Sequence, residues 1–383
     1  MVVPAIVACS SATTVQPATQ PVAPVTTFDA KATSGQYLYV YNTGSPGIYS
    51  GQYARYSLPK LKLLEMTVAD GLGSNEVFGK KNLPYFIDEA TPSGFGVYLQ
   101  PIALNTVPGK QQFYGIPCYA NALAIGPTGN FYAAQYCSTN VLEYKPGVLT
   151  GKPKKPIATY TGGNLGKNGV TNPTYAVVDP SGDLYVGDNG GGVTYFPAGS
   201  TSGSVAFATG NGGYVNQMIV DSSGDVWSIH GPNPTAVYFQ DKTHCILDPS
   251  GTVVRNELAE RFNKGTLVQQ LYTATTDSPL FSDNGISIAI DSAGRIYTGN
   301  QNNGIPGVVL DFDPGQSCPN DNLSFAMNNG ANPQVAVDNQ KRYYVTNYEN
   351  NTIASYNGGS TKRIAQISQQ TGIVNIKSTA INP

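Results

Sequence analysis

Six times along the chain the same phrase recurs: a few apolar residues, Asp or Gly, a tight turn containing Gly or a polar residue, then an aromatic-rich apolar stretch. It reads YAVVDPSGDLYVGD at 175–188, QMIVDSSGDVWSIH at 217–230, SIAIDSAGRIYTGN at 287–300 and QVAVDNQKRYYVTN at 334–347. Looser copies are NALAIGPTGNFYAAQ at 121–135 and YFIDEATPSGFGVYLQ at 85–100. A short unit of this kind cannot bury its own apolar face, so it must stack on its neighbours, and the period between copies decides the architecture.

With Asp88, Gly126, Asp179, Asp221, Asp291, Asp338 and Asn382 as markers, the intervals are 38, 53, 42, 70, 47 and 44 residues. Most are the length of a four-stranded propeller blade. In one copy YAVVD, DLYVGD, GVTYFPAG and SVAFAT supply four strands, separated by Gly and Pro. The chain begins, at QYLYVYNTGSPGIYSGQYARYSLPKLKLLEMTV, with what look like strands two to four of a blade, and ends in IKSTAINP, an inner strand with no blade after it. The expectation is an all-β propeller of four-stranded blades closed by pairing of the N- and C-terminal strands. It has seven blades, or six if the weak unit at 83–115 is an elaborated loop. Residues 34–383 form this one domain, and residues 1–33 precede it. The 70-residue interval carries an insertion at about 250–272, where Val254, Leu258 and Phe262 at i, i+4 and i+8, followed by Gly265, predict a short amphipathic helix.

The recurring aspartates Asp179, Asp221, Asp291 and Asp338 read as scaffold. In a DxxG turn the carboxylate accepts backbone N–H bonds, which explains the repetition without catalysis. Trp227, on a second strand, reads as core, and the Tyr-rich segments read as packing rings between blades.

The phrase xxAVDPSGDLYV followed by a turn and a short strand resembles the NHL and SMP-30-like group of β-propellers, which includes the streptogramin lyases. The resemblance spans roughly residues 36–383 and implies a ligand face shaped as a funnel, rimmed by the loops entering each inner strand and leaving each second strand. On this chain those positions are Asn172, Asp188, Asn189, Asn216, His230, Asp283, Asn284, Asn300, Asn302, Asn332, Asn347 and Glu349. Asn172, Asn189, Asn216, Asn300, Asn332 and Asn347 are the candidate ligand-binding residues. Asp188, Asn284, Asn300 and Glu349 are candidate ligands for a divalent cation such as calcium, which takes carboxylate, amide and carbonyl oxygens. The same ring is equally suited to hydrogen-bonding a sugar or peptide, and Asn and Asp also collect in loops simply because they cap turns.

The chain holds only two histidines, His230 and His244. A three-histidine zinc site is therefore out of reach, and neither lies in an HExxH frame. His230 ends a second strand and is the candidate acid/base, with Glu349 as the other candidate catalytic group. Lyases of the resembled group use histidine and a divalent ion at this face, whereas this chain offers no second funnel histidine. No GxSxG elbow and no phosphate-binding loop occurs.

Charged residues make up 12% of the chain, with a net charge of -2. No basic cluster of the kind nucleic acid requires is present, so nucleic acid is not an expected partner. No apolar run is long enough to span a bilayer. Ile6, Val7, Ala8 and Cys9 resemble a bacterial lipobox, with Cys9 the lipidated residue, although the basic region and long apolar core of a signal peptide are missing. Residues 1–33 thus read as a truncated signal and flexible tether, or as an uninformative N-terminus. Cys118 and Cys137 flank the hairpin at 121–135. Antiparallel partners about that turn have numbers that sum to about 255–256, as these two do, which predicts a disulfide. Cys245 and Cys318 either pair between adjacent blades or remain free thiols. These features point to an extracytoplasmic protein, in the periplasm, on the surface or secreted from a bacterium, and tethered by a lipid anchor. Its expected role is to bind a protein, peptide or glycan at the funnel. The alternative is a divalent-metal-dependent, lactonase-like hydrolase or lyase.

Overall fold

Each full copy of the repeat folds as two antiparallel strands joined by a five-residue turn, and its aspartate builds that turn. Asp179, Asp221, Asp291 and Asp338 each accept, through Oδ1, the backbone N–H of the residues two and four places on, at 2.8–3.1 Å. The residue three places on lies at positive φ, which glycine adopts without a Cβ clash. It is Gly182, Gly224 and Gly294 in three copies and Lys341, at φ 62, in the fourth. These aspartates are the structural caps that the sequence pattern implied.

The computed structural model describes residues 35–42, 50–70, 77–78, 84–88, 97–101, 112–114, 120–135, 138–145, 155–166, 172–208, 213–231, 237–239, 253–255, 257–272, 284–302, 305–320, 322–327, 332–347, 351–368 and 376–381. In chain order the strands are β1 (Tyr37–Asn42), β2 (Ser50–Ser57), β3 (Leu63–Asp70), β4 (Val77–Phe78), β5 (Pro84–Asp88), β6 (Val97–Pro101) and β7 (Gln112–Tyr114). They continue with β8 (Ala120–Ile125), β9 (Phe131–Gln135), β10 (Val141–Tyr144), β11 (Ala158–Gly162), β12 (Pro173–Val178), β13 (Leu184–Asp188), β14 (Val193–Phe196) and β15 (Ser202–Phe207). Next come β16 (Val215–Val220), β17 (Val226–His230), β18 (Val237–Phe239), β19 (Val253–Arg255), β20 (Glu257–Asn263) and β21 (Thr266–Tyr272). The last are β22 (Asn284–Ile290), β23 (Ile296–Asn302), β24 (Ile305–Phe312), β25 (Phe325–Ala326), β26 (Pro333–Val337), β27 (Tyr343–Asn347), β28 (Thr352–Tyr356), β29 (Arg363–Ser368) and β30 (Ile376–Ile381).

Four-stranded antiparallel sheets dominate: β4-β5-β6-β7, β16-β17-β20-β21, β22-β23-β24-β25 and β26-β27-β28-β29. The units β8–β11 and β12–β15 are joined at their outer strands by a short parallel pairing of β11 with β15. The sheet β3-β2-β1-β30 draws on both ends of the chain, with Leu38 opposite Ile381 and Val40 opposite Thr379. No described helix is long and apolar enough to cross a membrane.

The core lies between neighbouring sheets. Ala122, Ala124 and Val141 of one unit pack with Ala176, Leu184 and Phe196 of the next, and Trp227, Ile229 and Leu258 pack with Ile288, Ile296 and Val308. Trp227 is buried, as its sequence context implied. Tyr343 is stacked between Tyr297 and Tyr356, at centroid distances of 4.4 and 4.8 Å. Side chains of the inner strands also reach forward to the next sheet. Thr174 Oγ1 donates to the Val215 carbonyl (2.8 Å), Gln217 Oε1 accepts from the Ile288 N–H (2.6 Å), and Ser287 Oγ donates to the Pro333 carbonyl (3.1 Å). The inner strands β8, β12, β16, β22, β26 and β30 together line a central cavity of about 430 Å³.

Two expectations change, and one open alternative closes. The segment containing Leu258 and Phe262 is strand β20, not a helix, and Lys264-Gly265, both at positive φ, form the two-residue turn of the β20–β21 hairpin. A spacing of four apolar positions fits a strand as well as a helix, because four is a multiple of two. Asp88 ends the second strand of its sheet and does not sit in the turn. The inner strand there is the two-residue β4, with Phe78 opposite Pro84, too short to show periodicity. Cys318 is disulfide-bonded, with its partner outside the described residues, so it is not a free thiol. Cys9, Cys118, Cys137 and Cys245 lie outside the described residues. The hairpin between Cys118 and Cys137 does have the expected register, with Ala120 opposite Gln135 and Ile125 opposite Phe131.

Candidate functional site

The second strands share a sequence feature, an aromatic residue followed three places on by a polar one: Tyr132 and Gln135, Tyr185 and Asp188, Trp227 and His230, Tyr297 and Asn300, Tyr344 and Asn347. In register, each polar residue faces the start of its inner strand: Ala120 opposite Gln135, Pro173 opposite Asp188, Val215 opposite His230, Gly285 opposite Asn300 and Pro333 opposite Asn347. They therefore occupy one end of their sheets, away from the Asp turns. None is more than 1% exposed. Burying five polar side chains at equivalent positions is costly unless each is hydrogen-bonded.

The bonds are only partly supplied. Gln135 Oε1 accepts from Ser138 Oγ (2.9 Å), while Gln135 Nε2 has no partner among the described residues. Asp188 Oδ1 accepts from the N–H groups of Gly190 (2.7 Å) and Gly192 (3.0 Å), and Oδ2 has none. Burial pushes the Asp188 carboxyl up to about 6, against the opposing effect of those two N–H bonds. Gly192 is required there, since a Cβ would fall 2.4 Å from Asn164 Nδ2 and 2.8 Å from Asp188 Oδ2. Asn300 Nδ2 donates to Thr298 Oγ1 (2.9 Å), and Asn284 Nδ2 donates to Gln301 Oε1 (3.1 Å). The Oδ1 atoms of Asn300 and Asn284 have no partner among the described residues.

His230 is held differently. Its Nδ1 lies 3.1 Å from the Gly231 carbonyl, a pure acceptor, so Nδ1 carries a proton. Its Nε2 lies 2.7 Å from Glu260 Oε1, and Ser228 Oγ donates to Glu260 Oε2 (3.0 Å). One proton is thus shared between ring and carboxylate, and both side chains are fully buried. Ser228 and Glu260 are cross-strand partners on β17 and β20, which brings Glu260 diagonally onto His230.

Other predicted residues are joined in pairs. The Asn172 N–H donates to Asn189 Oδ1 (2.9 Å) and the Asn189 N–H to the Asn172 carbonyl (3.0 Å), tying the entry to the inner strand to the exit from the second. Asn216 Nδ2 donates to the Gly285 carbonyl of the next sheet. Asn284 Oδ1 sits 3.3 Å from where a Cβ on Gly231 would be, placing it at the His230–Gly231 corner. Asn332 is at positive φ (65), as a turn residue. No described contact joins Asp188, Asn284 and Asn300 to one another, and the described residues contain no group of three or more His, Cys, Asp or Glu suited to a metal ion. Glu349 and Asp283 lie outside the described residues.

Two residues of this end were missed from sequence. Gln135 carries the same aromatic-x-x-polar signal as its equivalents. Glu260 was hidden by the helix reading, although Leu258, Glu260 and Phe262, all fully buried, alternate as one strand face.

No family model matches the sequence, and no curated protein matches it. Among solved structures, the chain is similar to the dihydro-heme d1 dehydrogenase NirN in complex with DHE, with a TM-score of 0.54 and 9% identity over 94% of this chain and 77% of that one. It is also similar to the Neurospora crassa Pan2 WD40 domain, with a TM-score of 0.55 and 11% identity over 86% of this chain and 87% of that one. At such identities the likeness establishes the fold alone. The chain is an all-β protein whose four-stranded antiparallel sheets match those of β-propellers.

Proposed function

We propose that the protein is an exported, non-enzymatic propeller of seven blades, closed by the pairing of β30 with β1, that binds a hydroxyl-rich ligand, a glycan, at the second-strand end of its channel. The observation that carries this reading is the set of buried polar atoms whose hydrogen-bonding capacity is unspent: Gln135 Nε2, Asp188 Oδ2, Asn284 Oδ1 and Asn300 Oδ1. Three of the four are acceptors, and the fourth is an amide donor. Sugar hydroxyls, which both donate and accept, match that mixture.

The non-enzymatic part of the reading is supported by His230. A general base must have a nitrogen free to take the proton it removes, but both ring nitrogens of His230 are engaged, one by the Gly231 carbonyl and the other by Glu260. Export is supported by the disulfide at Cys318, since such bonds persist in oxidising compartments. Screening the protein against an array of neutral oligosaccharides tests the reading. Binding of a subset, weakened at least tenfold by Asn300→Leu and by Gln135→Leu, is expected. Retention of none, or binding indifferent to both substitutions, contradicts it.

A further inference from the structure

The opposite end of the channel has different chemistry. The last residues of six inner strands, Ile125, Val178, Val220, Ile290, Val337 and Ile381, line the cavity there and are all β-branched and half-buried. The result is an apolar collar. None of the described residues lining the cavity carries a charge.

The wall behind the collar is not purely apolar. β8, β12, β16, β22, β26 and β30 are each the end strand of a four-stranded unit, so alternate backbone N–H and C=O groups face the channel and not a neighbouring strand. The inter-sheet bonds of Gln217 and Ser287 satisfy some of these groups. The rest require water or a guest. An alkyl chain would strand them without partners, which is costly, and a sugar would leave the collar without apolar contact. A peptide supplies both, because its backbone bonds strand edges while its side chains meet the collar.

We propose that this half of the channel binds an extended, uncharged peptide segment bearing branched apolar side chains. The lining takes in three or four residues of most inner strands, as at Val335–Val337 and Gln217–Val220, a depth of roughly 10–13 Å at ~3.3 Å per residue. That depth accommodates about three to four extended residues. The proposal does not rest on the glycan reading, which concerns the other end of the channel.

The test is ligand-observed NMR titration with the capped tripeptide N-acetyl-Val-Ile-Ala-amide, run on wild type and on Val337→Asp, Val337→Thr and Asn300→Leu, with thermal unfolding confirming each fold. Val337→Thr nearly preserves shape while reducing apolarity, so it carries the test if Val337→Asp fails to fold. Saturable binding is expected, lost in Val337→Asp, weakened severalfold in Val337→Thr, unchanged in Asn300→Leu, and weakened at least tenfold when the peptide backbone is N-methylated. The proposal is overturned if wild type gives no saturable binding or if the Val337 variants bind as wild type does. It is also overturned if the N-methylated peptide binds as tightly as its parent, which would mean that the site takes apolar surface alone.

Discussion

His230 Nε2 and Glu260 Oε1 are 2.7 Å apart at a point where neither side chain reaches solvent. A buried pair of this kind contributes little net stability when intact, yet removing one member leaves a group desolvated and unanswered. Glu260→Ala should therefore lower the unfolding free energy by about 3–5 kcal/mol. The double variant His230→Phe/Glu260→Leu should recover most of that loss. Chemical denaturation of the three proteins measures both. Equal losses in the single and double variants would show that the pair is not the cause.

Gly299 is fixed by the neighbouring sheet. A Cβ there would lie 2.0 Å from the Pro333 carbonyl oxygen and 2.7 Å from Ser287 Oγ. Because the obstacle is backbone, it cannot swing aside. Gly299→Ala is expected to cost about 1–3 kcal/mol, or more, through overpacking, read as a lower melting temperature. An unchanged melting temperature would mean that the sheets approach less closely than described.

Lys341 occupies the turn position that glycine holds in three other copies, at φ 62. A left-handed conformation costs a non-glycine residue roughly 1–2 kcal/mol, partly offset by the greater freedom glycine gives the unfolded chain. Lys341→Gly should thus stabilise the protein by about 1 kcal/mol. Equilibrium unfolding provides the check, and a loss of stability would contradict the assigned turn.

Burial raises the Asp188 carboxyl from its ordinary value of 3.8 to about 6. The folded protein therefore takes up a proton at Asp188 more readily than the unfolded chain. Its destabilising effect is absent below the unfolded value, grows as pH rises from about 4 to 6, and is complete above that. A shift of this size corresponds to roughly 3 kcal/mol. Asp311, also raised to about 6 by burial, adds to the same window, so the comparison is between wild type and Asp188→Asn. Melting temperatures between pH 4 and 7 should fall less steeply in Asp188→Asn, and parallel curves would contradict the assignment.

The four-stranded antiparallel sheets were legible because their turns are local. Each DxxG aspartate bonds N–H groups two and four residues away, so the chemistry that builds the turn is written in consecutive letters. The His230–Glu260 pair was not legible, because those residues are 30 positions apart and meet only once β20 is recognised as a strand beside β17. The even spacing of Val254, Leu258 and Phe262 fits two periods and could not decide between them. The polar second-strand ends were legible as a set, with Gln135 recoverable from Tyr132. Which of their atoms lack partners depends on neighbours such as Ser138, Thr298 and Gln301, and these emerge only from the packed structure.

Asn300→Leu separates a binding role from a scaffold role most sharply, since it removes an amide with one unanswered oxygen while keeping the side chain's shape. Calorimetric titration of a neutral oligosaccharide into wild type, Asn300→Leu and Val337→Asp tests the central claim directly. The account predicts saturable heat with wild type, at least tenfold weaker binding with Asn300→Leu at a melting temperature close to that of wild type, and undiminished binding with Val337→Asp at the far end of the channel. Unaltered affinity in Asn300→Leu, or no heat with any neutral oligosaccharide, would contradict it.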